Sequence, residues 1–414
     1  MKEDVIIIGG GAAGLCAAVA IRQKAPGMSV RLLEALPRVG KKLAMTGNGR
    51  CNITNRHIRP ERYHGRHPDF AAYALEKYDN AGCEAFFGAI GVPFVYEGEK
   101  AYPASFQAAS VVDCLRFAVQ ESGVTVCTET KVTGIQLSGG GYKVITEKAA
   151  FYADRVILAA GLLSGGDSVG CDGSILQLMK AAGFKTVPLF PAIVQIKTET
   201  DVVRQLKGVK IEAGVRLCAG GKTLREDRGE TLFCDYGLSG PPILQVSGAL
   251  AGRNEPCTVC LDLAPDQSFE ELLSALERRA THLQNRLLDE FFTGMLPKRI
   301  GQVLIKQASL GLHEPVSALR EGDLRKLAAL IKKWSFRVTG TTGFANSQVT
   351  AGGLDTTEFD PKTMMCKSSA NLYAIGEILD IDGDCGGFNL RWAWSSALCA
   401  AEHIAAGGRY ADFK

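Results

Sequence analysis

The first apolar run of the chain, residues 4–8, is short and contains three consecutive isoleucines. A run of this kind predicts a strand buried on both faces. Glycines follow at once, and residues 15–24 then have the alanine-rich composition of a helix. A second apolar run, residues 29–33, predicts the next strand and ends at an acid, Glu34. The chain therefore opens with a β–α–β unit.

The pattern after this unit predicts mixed helices and strands. Helical spacing predicts helices at residues 68–90, 110–122 and 173–182, the second opening with a capping box at Ser110-Val111-Val112-Asp113. Strands are predicted at residues 124–130, 131–137, 142–146 and 155–161. Gly139-Gly140-Gly141 predicts a hairpin turn, since a strand follows these glycines instead of a helix.

The pattern changes near residue 190. Residues 191–264 contain short strands separated by Gly- and Asp-rich turns, which predicts a small β-barrel or sandwich. Helical spacing follows, with helices predicted at residues 269–280, 283–292, 298–309 and 323–334. Strand-like sequence returns at Ser335, and residues 340–414 resume the character of the first domain. We therefore predict an α/β nucleotide domain of residues 1–190 and 338–414, an inserted β-barrel-like substrate domain of residues 191–265, and an inserted helical subdomain of residues 266–337.

The glycines after the first strand carry the first chemical signal. Gly9-Gly10-Gly11-Ala12-Ala13-Gly14 fits G-x-G-x-x-G. Gly9 permits the tight turn, Gly11 lets a pyrophosphate approach the backbone, and Gly14 lets the helix pack close to the strand. The helix start offers unpaired N–H groups and a positive dipole end. Glu34 comes 20 residues after Gly14 and can accept hydrogen bonds from ribose hydroxyls. Together these features predict a Rossmann-type domain, whereas an ordinary glycine-rich turn accounts for only some of them.

Residues 37–55 have little periodicity and many Gly, Asn, Lys and Arg residues. A loop of this length inside a compact domain is usually functional. Because it follows Glu34, it can run along an extended cofactor towards the reactive end. A flexible solvated loop is the alternative, but Gly47-Asn48-Gly49 and Asn52 favour a special backbone geometry.

Composition limits the class of protein. A chain of 414 residues, 46% hydrophobic and 22% charged, is typical of a soluble protein with two or three domains. The net charge of +3 is too small to indicate a nucleic-acid or polybasic membrane surface, so no nucleic-acid partner is expected. The sequence has no apolar run of membrane-spanning length and opens on the first strand, so we expect a cytoplasmic location without a leader. The 13 cysteines favour reduced thiols over a disulfide framework.

Three further stretches carry a resemblance to flavoproteins. Residues 156–161, ending in Ala160-Gly161, resemble the Ala-Thr-Gly-type strand end of flavoproteins with two dinucleotide-binding domains. Residues 371–377, with Asp380 after them, resemble the late strand whose acid meets the ribityl chain of FAD in those proteins. Residues 385–397 predict a sharp turn and a helix starting near Phe388, whose N–H groups can face the flavin C2 carbonyl and N1. For this last segment alone, a capped C-terminal helix is the alternative.

Taken whole, the sequence resembles the HI0933-like family, also called BaiN-like or aminoacetone-oxidase-like. The resemblance runs nearly end to end and includes residues 46–52, 238–241, 350–354 and 376–380. Two positions depart from it: Arg391 stands where members often have Gln, and Leu354 where they often have Val. The first departure puts a charge next to the predicted flavin-facing helix start, where it can alter substrate preference.

The resemblance implies FAD bound non-covalently, with the isoalloxazine near residues 46–52 and 387–390 and the backbone of Val132 near adenine. The expected cofactor-binding residues are Gly9, Gly11, Ala12, Ala13, Gly14, Glu34, Lys42, Thr46, Gly47, Asn48, Gly49, Arg50, Cys51, Asn52, Val132, Ala160, Gly161, Gly376, Glu377, Asp380, Gly387, Phe388, Asn389 and Leu390.

The leading functional hypothesis is an FAD-dependent reductase that moves hydride through flavin N5 to an unsaturated substrate, such as an enone or a bile-acid-like 3-oxo steroid. NADH or NADPH is the expected electron donor. Because no second G-x-G-x-x-G occurs, the sequence predicts no dedicated nicotinamide domain. Either a nicotinamide docks transiently at the flavin, or another molecule donates the electrons. Arg50 with Asn52 is expected to polarise a carbonyl or steady the flavin. Tyr102, and less surely Tyr236, is the candidate proton donor; half-buried packing is the alternative for both.

The rival functions are an O2-using oxidase of small amines and a non-enzymatic flavin-bound RNA- or protein-binding module.

No metal site is expected. Cys51 lacks the C-x4-C partner of a disulfide reductase. Cys257 and Cys260 lie in a predicted strand, where positions three apart point to opposite faces. His57, His64 and His67 stand among four arginines, which favours a solvated basic loop able to attract an anionic substrate or a nicotinamide phosphate.

Overall fold

The computed structural model describes residues 2–407, which form two compact units. The first unit runs up to Pro191 and resumes at Phe344, and the second unit is Ala192–Gly343. The sequence predicted these changes of domain at residues 190 and 338. The end of the predicted nucleotide domain, residues 408–414, lies outside the described residues.

The strands are β1 (Lys2–Ile8), β2 (Val30–Leu33), β3 (Thr54–Asn55), β4 (Tyr63–His64), β5 (Phe94–Glu97), β6 (Lys100–Pro103), β7 (Thr125–Cys127), β8 (Val132–Ser138), β9 (Gly141–Thr146), β10 (Ala150–Leu158), β11 (Thr186–Ala192), β12 (Ile196–Thr198), β13 (Lys210–Ala219), β14 (Lys222–Phe233), β15 (Gly237–Ser239), β16 (Cys257–Asp262), β17 (Trp334–Thr341), β18 (Val349–Leu354), β19 (Leu372–Ala374) and β20 (Asp382–Gly383). The helices are α1 (Ala12–Lys24), α2 (Ala72–Lys77), α3 (Asn80–Ala89), α4 (Ala108–Glu121), α5 (Ser174–Ala181), α6 (Thr200–Val203), α7 (Pro241–Ser247), α8 (Phe269–His282), α9 (Lys298–Gln307), α10 (Glu321–Lys332) and α11 (Phe388–Ala405).

The main sheet of the first unit has the strand order β7-β2-β1-β10-β9-β8, and β19 also pairs with β10. Strand β1 is parallel to both β2 and β10, with Ile8 opposite Leu33 on one side and Leu158 on the other. The carboxyl ends of these three strands therefore meet at one edge. The chain leaves β1 for β2 on one side and returns as β10 on the other, so this edge is a topological switch point, where open α/β sheets bind ligands.

Helix α1 lies in the core of the first unit. Every residue from Ala13 to Ile21 is buried, which fits its almost entirely apolar composition. Helix α11, the last described helix, packs against α1. Residues from both ends of the chain therefore share one hydrophobic core.

The second unit contains a closed barrel with the strand order β12-β15-β14-β13-β16-β17. Strand β17 follows the helical region in sequence and closes the barrel by pairing with both β12 and β16, which leaves no free edge. The buried side chains of the barrel and of α8, α9 and α10 form one hydrophobic core. The predicted β-barrel and helices are therefore both present, and they pack together instead of forming separate cores.

Three local predictions were wrong. The helix predicted at residues 68–90 is broken at Tyr78-Asp79 into α2 and α3, because the Asp79 side chain accepts a hydrogen bond from Gly82 N (2.9 Å) and starts a new helix. The predicted capping box at Ser110 does not form, because α4 already begins at Ala108. The helix predicted at residues 283–292 is reduced to a single 3₁₀ turn, Leu288–Glu290. Between residues 2 and 407, no helix has the length and apolar character needed to cross a bilayer.

Candidate functional site

The glycine turn after β1 forms the centre of the candidate site. Gly9 has φ +110°, and a methyl group there would lie 2.7 Å from the carbonyl oxygen of Ala159. A methyl group on Gly14 would lie 1.9 Å from the carbonyl oxygen of Gly9. These two glycines are therefore required by packing. Gly11 differs, since a methyl group there would meet no heavy atom within 4 Å. The start of α1 thus faces open space, and no side chain caps its N–H groups. This space suits a diphosphate.

Glu34 lies beside this turn at the end of β2. Its carboxylate accepts hydrogen bonds from Gly10 N and Leu36 N, both at 2.8 Å. Burial raises the pKa of Glu34, although these backbone N–H groups act in the opposite direction. Thr130 N donates to the carbonyl oxygen of Glu34 (2.9 Å). The segment that leads into Val132, the first residue of β8, therefore lies beside Glu34. The acid and the first residue of β8 therefore belong to the same end of the site, where ribose and adenine were predicted.

A partly buried ion pair lies near the end of β10. Lys42 Nζ and Glu377 Oε2 are 2.6 Å apart, and Glu377 Oε1 accepts a hydrogen bond from Thr350 N (2.7 Å). Burial acts to lower the pKa of Lys42, but the charge and hydrogen bond of Glu377 together with Cys171 outweigh burial, and the pKa is raised. A methyl group on Gly161 would lie 3.5 Å from Glu377 Oε2. Lys42, Gly161 and Glu377, three predicted cofactor residues, are therefore brought together from distant parts of the sequence.

The loop of residues 46–52 has the unusual backbone that its composition predicted. Gly47, Asn48, Gly49 and Cys51 all have positive φ values, between 55° and 82°. Cys51 N donates to the carbonyl oxygen of Thr46 (3.0 Å), which closes the loop on itself. This conformation explains the two glycines and the asparagine, since these residues adopt positive φ at low cost.

Arg50 projects from this loop and is held by three side chains. Its Nη2 atom lies 2.7 Å from Glu97 Oε2. Its guanidinium carbon lies 4.3 Å from the ring centre of Tyr102 and 4.7 Å from that of Phe106. The two predicted catalytic residues Arg50 and Tyr102 are therefore in contact. Tyr102 is buried, and its hydroxyl makes no hydrogen bond with any residue between 2 and 407.

The side chain of Asn52 lies close to Gly387, in the turn before α11. Gly387 has φ +100°, and a methyl group there would lie 2.6 Å from the carbonyl oxygen of Thr54 and 2.8 Å from Asn52 Oδ1. Asn52 Oδ1 is itself buried without a hydrogen-bond partner among the described residues. Asn55 Nδ2 donates to the carbonyl oxygen of Gly386 (3.0 Å). The loop and the start of α11 thus form one surface that contains an unsatisfied polar atom, as expected where a ligand supplies the missing donor.

The first residues of α11 are fixed from the side away from this loop. Tyr63 Oη donates to the carbonyl oxygen of Phe388 (3.1 Å), and the two rings meet edge to face at 6.0 Å. Asn389 exchanges two hydrogen bonds of 2.8 Å with the backbone of Gly383. Leu390 is partly buried in the core. Phe388 and Asn389 therefore hold the helix start in place, and no side chain caps its N–H groups.

The other predicted site residues are spread along these elements. Gly376 has φ +70°, and a methyl group there would lie 3.0 Å from Ala13 Cβ, so Gly376 adjoins the start of α1 near Ala12. Ala160 follows Ala159 at the end of β10. Asp380 is buried, and its carboxylate accepts a hydrogen bond from Arg66 N (2.7 Å). Its predicted contact with the ribityl chain stays a prediction.

Tyr236 belongs to the second unit, whereas Arg50 and Tyr102 belong to the first. It lines an open surface cavity of about 440 Å³ together with Lys197, Thr198, Thr200, Arg204, Asp235 and Thr339. Burial raises its pKa above the ordinary tyrosine value, and a side-chain hydrogen bond with Cys234 acts in the same direction.

Sequence reasoning missed several supporting residues. Glu97 holds Arg50, and the Lys100 side chain would lie 3.3 Å from a methyl group on Gly386. Thr350 Oγ1 accepts hydrogen bonds from Leu163 N (3.1 Å) and Ser164 N (3.0 Å), which ties the chain after β10 to β18. Nothing in the local sequence around Glu97 or Lys100 indicates these pairings. Thr350 had a signal, because it opens the family-like motif of residues 350–354.

No group of three or more His, Cys, Asp or Glu side chains within residues 2–407 is placed to hold a metal ion. Burial raises the pKa of Cys51 to about 12, so its thiol is protonated at neutral pH. His64 and Arg62 both contact Asp384, at 2.8 and 2.5 Å, and His57 contacts Glu99 at 3.2 Å. Parts of the basic segment are therefore paired with acids.

These features unite a Rossmann-type switch point with segments from both ends of the chain. A sequence profile described as the HI0933-like protein Rossmann domain matches residues 3–403. The chain belongs to the HI0933-like family. It is accordingly an FAD-dependent oxidoreductase, and the predicted Rossmann-type fold with an inserted barrel is confirmed. A purely binding role, one of the rival predictions, is not retained.

Two curated relatives cover almost the whole chain. The chain is 34% identical over 402 residues to a 3-dehydro-bile acid delta(4,6)-reductase from Clostridium scindens, covering 96% of this chain and 98% of that protein. It is 30% identical over 416 residues to a ribosomal RNA dihydrouridine synthase from Escherichia coli, covering 98% and 99%. Among solved structures, a 3-ketosteroid delta1-dehydrogenase from Sterolibacterium denitrificans matches with a TM-score of 0.50 at 15% identity, covering 98% of this chain and all of that chain. At this identity the structural match shows the fold alone.

The residues of the site fit FAD. The open space at Gly11 lies before an uncapped helix start, and the carboxylate of Glu34 stands at the end of the next strand. The unsatisfied oxygen of Asn52 lies beside a second uncapped helix start, that of α11. A dinucleotide that joins a diphosphate to a flavin would place acceptors before both helix starts and a flavin N–H near Asn52.

Proposed function

We propose that this protein is an NAD(P)H-dependent reductase of carbon–carbon double bonds conjugated to a carbonyl group. The observation that carries the proposal is the contact between Arg50 and Tyr102. Arg50 lies on the loop that also contains Asn52, and Tyr102 lies on β6. A guanidinium can donate to a substrate carbonyl, and a neighbouring phenol can give up a proton. An enone needs both of these groups when its double bond is reduced.

FAD, when bound, supplies the hydride chemistry of the site. Arg50 holds the substrate carbonyl and stabilises the negative charge that develops on its oxygen. Tyr102 delivers the proton to the α-carbon as the β-carbon receives hydride. Glu97 and the Phe106 ring keep the guanidinium in one orientation. One NAD(P)H and one proton are consumed for each double bond that becomes a single bond.

The names of the two relatives support this class of substrate. A 3-oxo steroid with a C4 double bond is an enone, and dihydrouridine is uridine with its C5–C6 double bond reduced, next to the C4 carbonyl. The two products differ in size and charge, but both reactions add hydride and a proton across a double bond activated by a carbonyl. Since the chain is similar to both proteins over nearly its full length, we propose the shared reaction as its activity.

Anaerobic stopped-flow absorbance tests the proposal. Mixing the FAD-loaded protein with NADH or NADPH is expected to bleach the flavin band within the turnover time. Adding a Δ4-3-oxo steroid or cyclohexenone to the bleached protein is expected to restore the band, with the saturated ketone as product. Bleaching by small amines alone, with peroxide formed in air, would instead establish the oxidase and overturn the reductase.

A uracil base in RNA is a second candidate substrate for the same chemistry. Five arginines occur between residues 50 and 66, and Arg59 among them is exposed. The guanidinium carbon of Arg56 lies 3.9 Å from the ring centre of Tyr96. Guanidinium groups contact phosphates, and exposed arginine–aromatic pairs can stack on bases. This segment and the 30% identical relative support RNA, in contrast to the expectation from net charge alone.

Ribosomal RNA transcripts distinguish the two substrates. The bleached protein is mixed with an rRNA transcript, with free uridine, or with the steroid, and reoxidation is followed together with dihydrouridine content. If RNA is the substrate, Arg59→Ala lowers turnover on the transcript several-fold and lessens its salt dependence, while steroid or cyclohexenone turnover is unchanged. Arg116→Ala, an exposed arginine of α4, is the matched control. Turnover on the steroid alone assigns the small-molecule substrate.

A further inference from the structure

Arg391 is a fully buried arginine, the fourth residue of α11, with no exposed surface. Its guanidinium forms hydrogen bonds with neutral groups: Ser395 Oγ (3.0 Å), Asn80 Oδ1 (3.1 Å), Thr54 Oγ1 (3.5 Å), the carbonyl oxygen of Tyr78 and the thiol of Cys83. A buried charge is costly unless it is paired. Here the hydrogen bonds are satisfied, but the positive charge is not neutralised.

No ion pair within residues 2–407 includes Arg391. A buried carboxylate of the same unit, Asp384, is already engaged by Arg62 and His64. The charge of Arg391 also acts on a neighbouring thiol, that of Cys83. Burial raises the pKa of Cys83 to about 11, and the Arg391 charge acts against that rise. The guanidinium therefore projects an uncompensated positive field into its surroundings.

Two contacts locate the Arg391 guanidinium along α11: Ser395 lies one turn further along the helix, and Thr54 lies beside the helix start. Side chains on a helix lean towards its N-terminus. Thr54 links Arg391 to the helix start. Its hydroxyl accepts a hydrogen bond from Arg391, and its carbonyl oxygen would lie 2.6 Å from a methyl group on Gly387. The charge and the positive end of the helix dipole thus act together on the surface formed by Asn52 and Gly387.

We propose that Arg391 is a positioning residue of the cofactor site that stabilises the negatively charged, reduced form of FAD through its buried charge. The proposal rests on the FAD site and not on the identity of the substrate. It makes reduction of the cofactor by the donor more favourable. It also explains why an arginine without an acid partner is retained in the core, where an apolar residue would otherwise be less costly.

The test measures the flavin equilibrium without any substrate. The ratio of reduced to oxidised FAD is measured against a reference dye at fixed potential, and the dissociation constant for sulfite is measured by flavin absorbance. For Arg391→Gln we expect the ratio to fall about tenfold and sulfite binding to weaken about tenfold, the size of effect that one charge exerts through a protein interior. Arg391→Lys, which keeps the charge, is expected to retain most of both properties.

A second pair of variants keeps Arg391 in place, and so covers the case in which its removal prevents folding. Asn80→Asp puts a carboxylate beside the guanidinium with almost no change in shape and loses only the bonds that Asn80 Nδ2 donates, whereas Asn80→Ala removes all side-chain hydrogen bonds of Asn80 without adding charge. We expect Asn80→Asp to shift both readings in the same direction as Arg391→Gln, and Asn80→Ala to leave them within twofold of the natural protein. Equal readings for Asn80→Asp and Asn80→Ala would overturn the proposal and leave Arg391 as a structural link. A failure of the enone assay alone would not affect it.

Discussion

At the scale of single residues, the candidate site depends on the close contacts of its motif glycines and on side-chain partners that lie far away in sequence. Gly9, Gly14 and Glu34 follow from a fingerprint whose steric reasons are general, and the structure gives each its close contact. Glu97 is different. It holds Arg50 only because β5 and β6 form a hairpin, 47 residues further along the chain. Such a contact depends on tertiary structure, so the sequence around Arg50 carries no sign of it.

Arg50→Ala tests the residue assigned to the substrate carbonyl. We expect kcat/KM for enone reduction to fall about 100-fold, as for loss of a donor to a developing oxyanion, while the protein stays yellow. Stability should change little, because the ion pair with Glu97 is largely exposed. Arg50→Lys keeps the charge but not the planar contact with Tyr102, so an intermediate rate is expected. Steady-state kinetics and flavin content measure both effects; unaltered turnover in Arg50→Ala would remove this residue from the reaction.

At the scale of elements, long periodic segments were predicted well and interruptions were not. Helices α1, α4, α8, α9 and α10 lie close to their predicted positions. The break between α2 and α3 was missed because an apolar pattern continues through it, and only the hydrogen bond of Asp79 to Gly82 N ends one helix and starts the next. The turn before α11 was predicted from two glycines, and its contact with Thr54 explains why one of them is needed.

Gly387→Ala tests the junction between the loop and α11. The added methyl group would overlap Thr54 O and crowd Asn52, in addition to the strain of φ +100°. We expect FAD affinity to fall at least tenfold and the free energy of unfolding to fall by about 2–3 kcal/mol. Gly183→Ala is the matched control, with φ +92° and no heavy atom within 4 Å of the added group. It should cost about 1 kcal/mol and leave FAD affinity unchanged. Flavin fluorescence and denaturant titration measure the two quantities, and equal losses in both variants would contradict the role given to the junction.

At the scale of the whole molecule, the sequence indicated that the nucleotide domain is split, because its pattern returns after the helical region. It did not indicate how the barrel closes. Strand β17 pairs with β12 and β16, and one of these partners lies more than a hundred residues earlier in the chain. Strand pairing at that distance depends on the whole fold, whereas periodicity reports only which face of a segment is buried.

Buried thiols give the molecule a predictable response to alkali. Burial raises the pKa of Cys51 and Cys399 to about 12, and of Cys83 and Cys171 to about 11. In the unfolded chain these thiols ionise near pH 9, so the unfolded state binds fewer protons above that pH and is favoured. Stability is therefore unaffected by these groups below about pH 8 and falls as pH rises from about 9 to 12. We expect a loss of roughly 1 kcal/mol per thiol for each pH unit in this window. Urea titrations at pH 8 and pH 10 under reducing conditions measure it, and equal midpoints would show that the thiols are already exposed.

The packing of α1 against α11 has a consequence for how the protein is made. The glycine turn leaves the ribosome well before α11, which packs against α1 and carries the second uncapped helix start of the proposed flavin site. The barrel and its helices emerge in between, with all of their own core residues, and can complete their fold while the nascent chain is still attached. The two helix starts therefore cannot come together until α11 has been synthesised, and a message cut short before α11 encodes the barrel without the second of them.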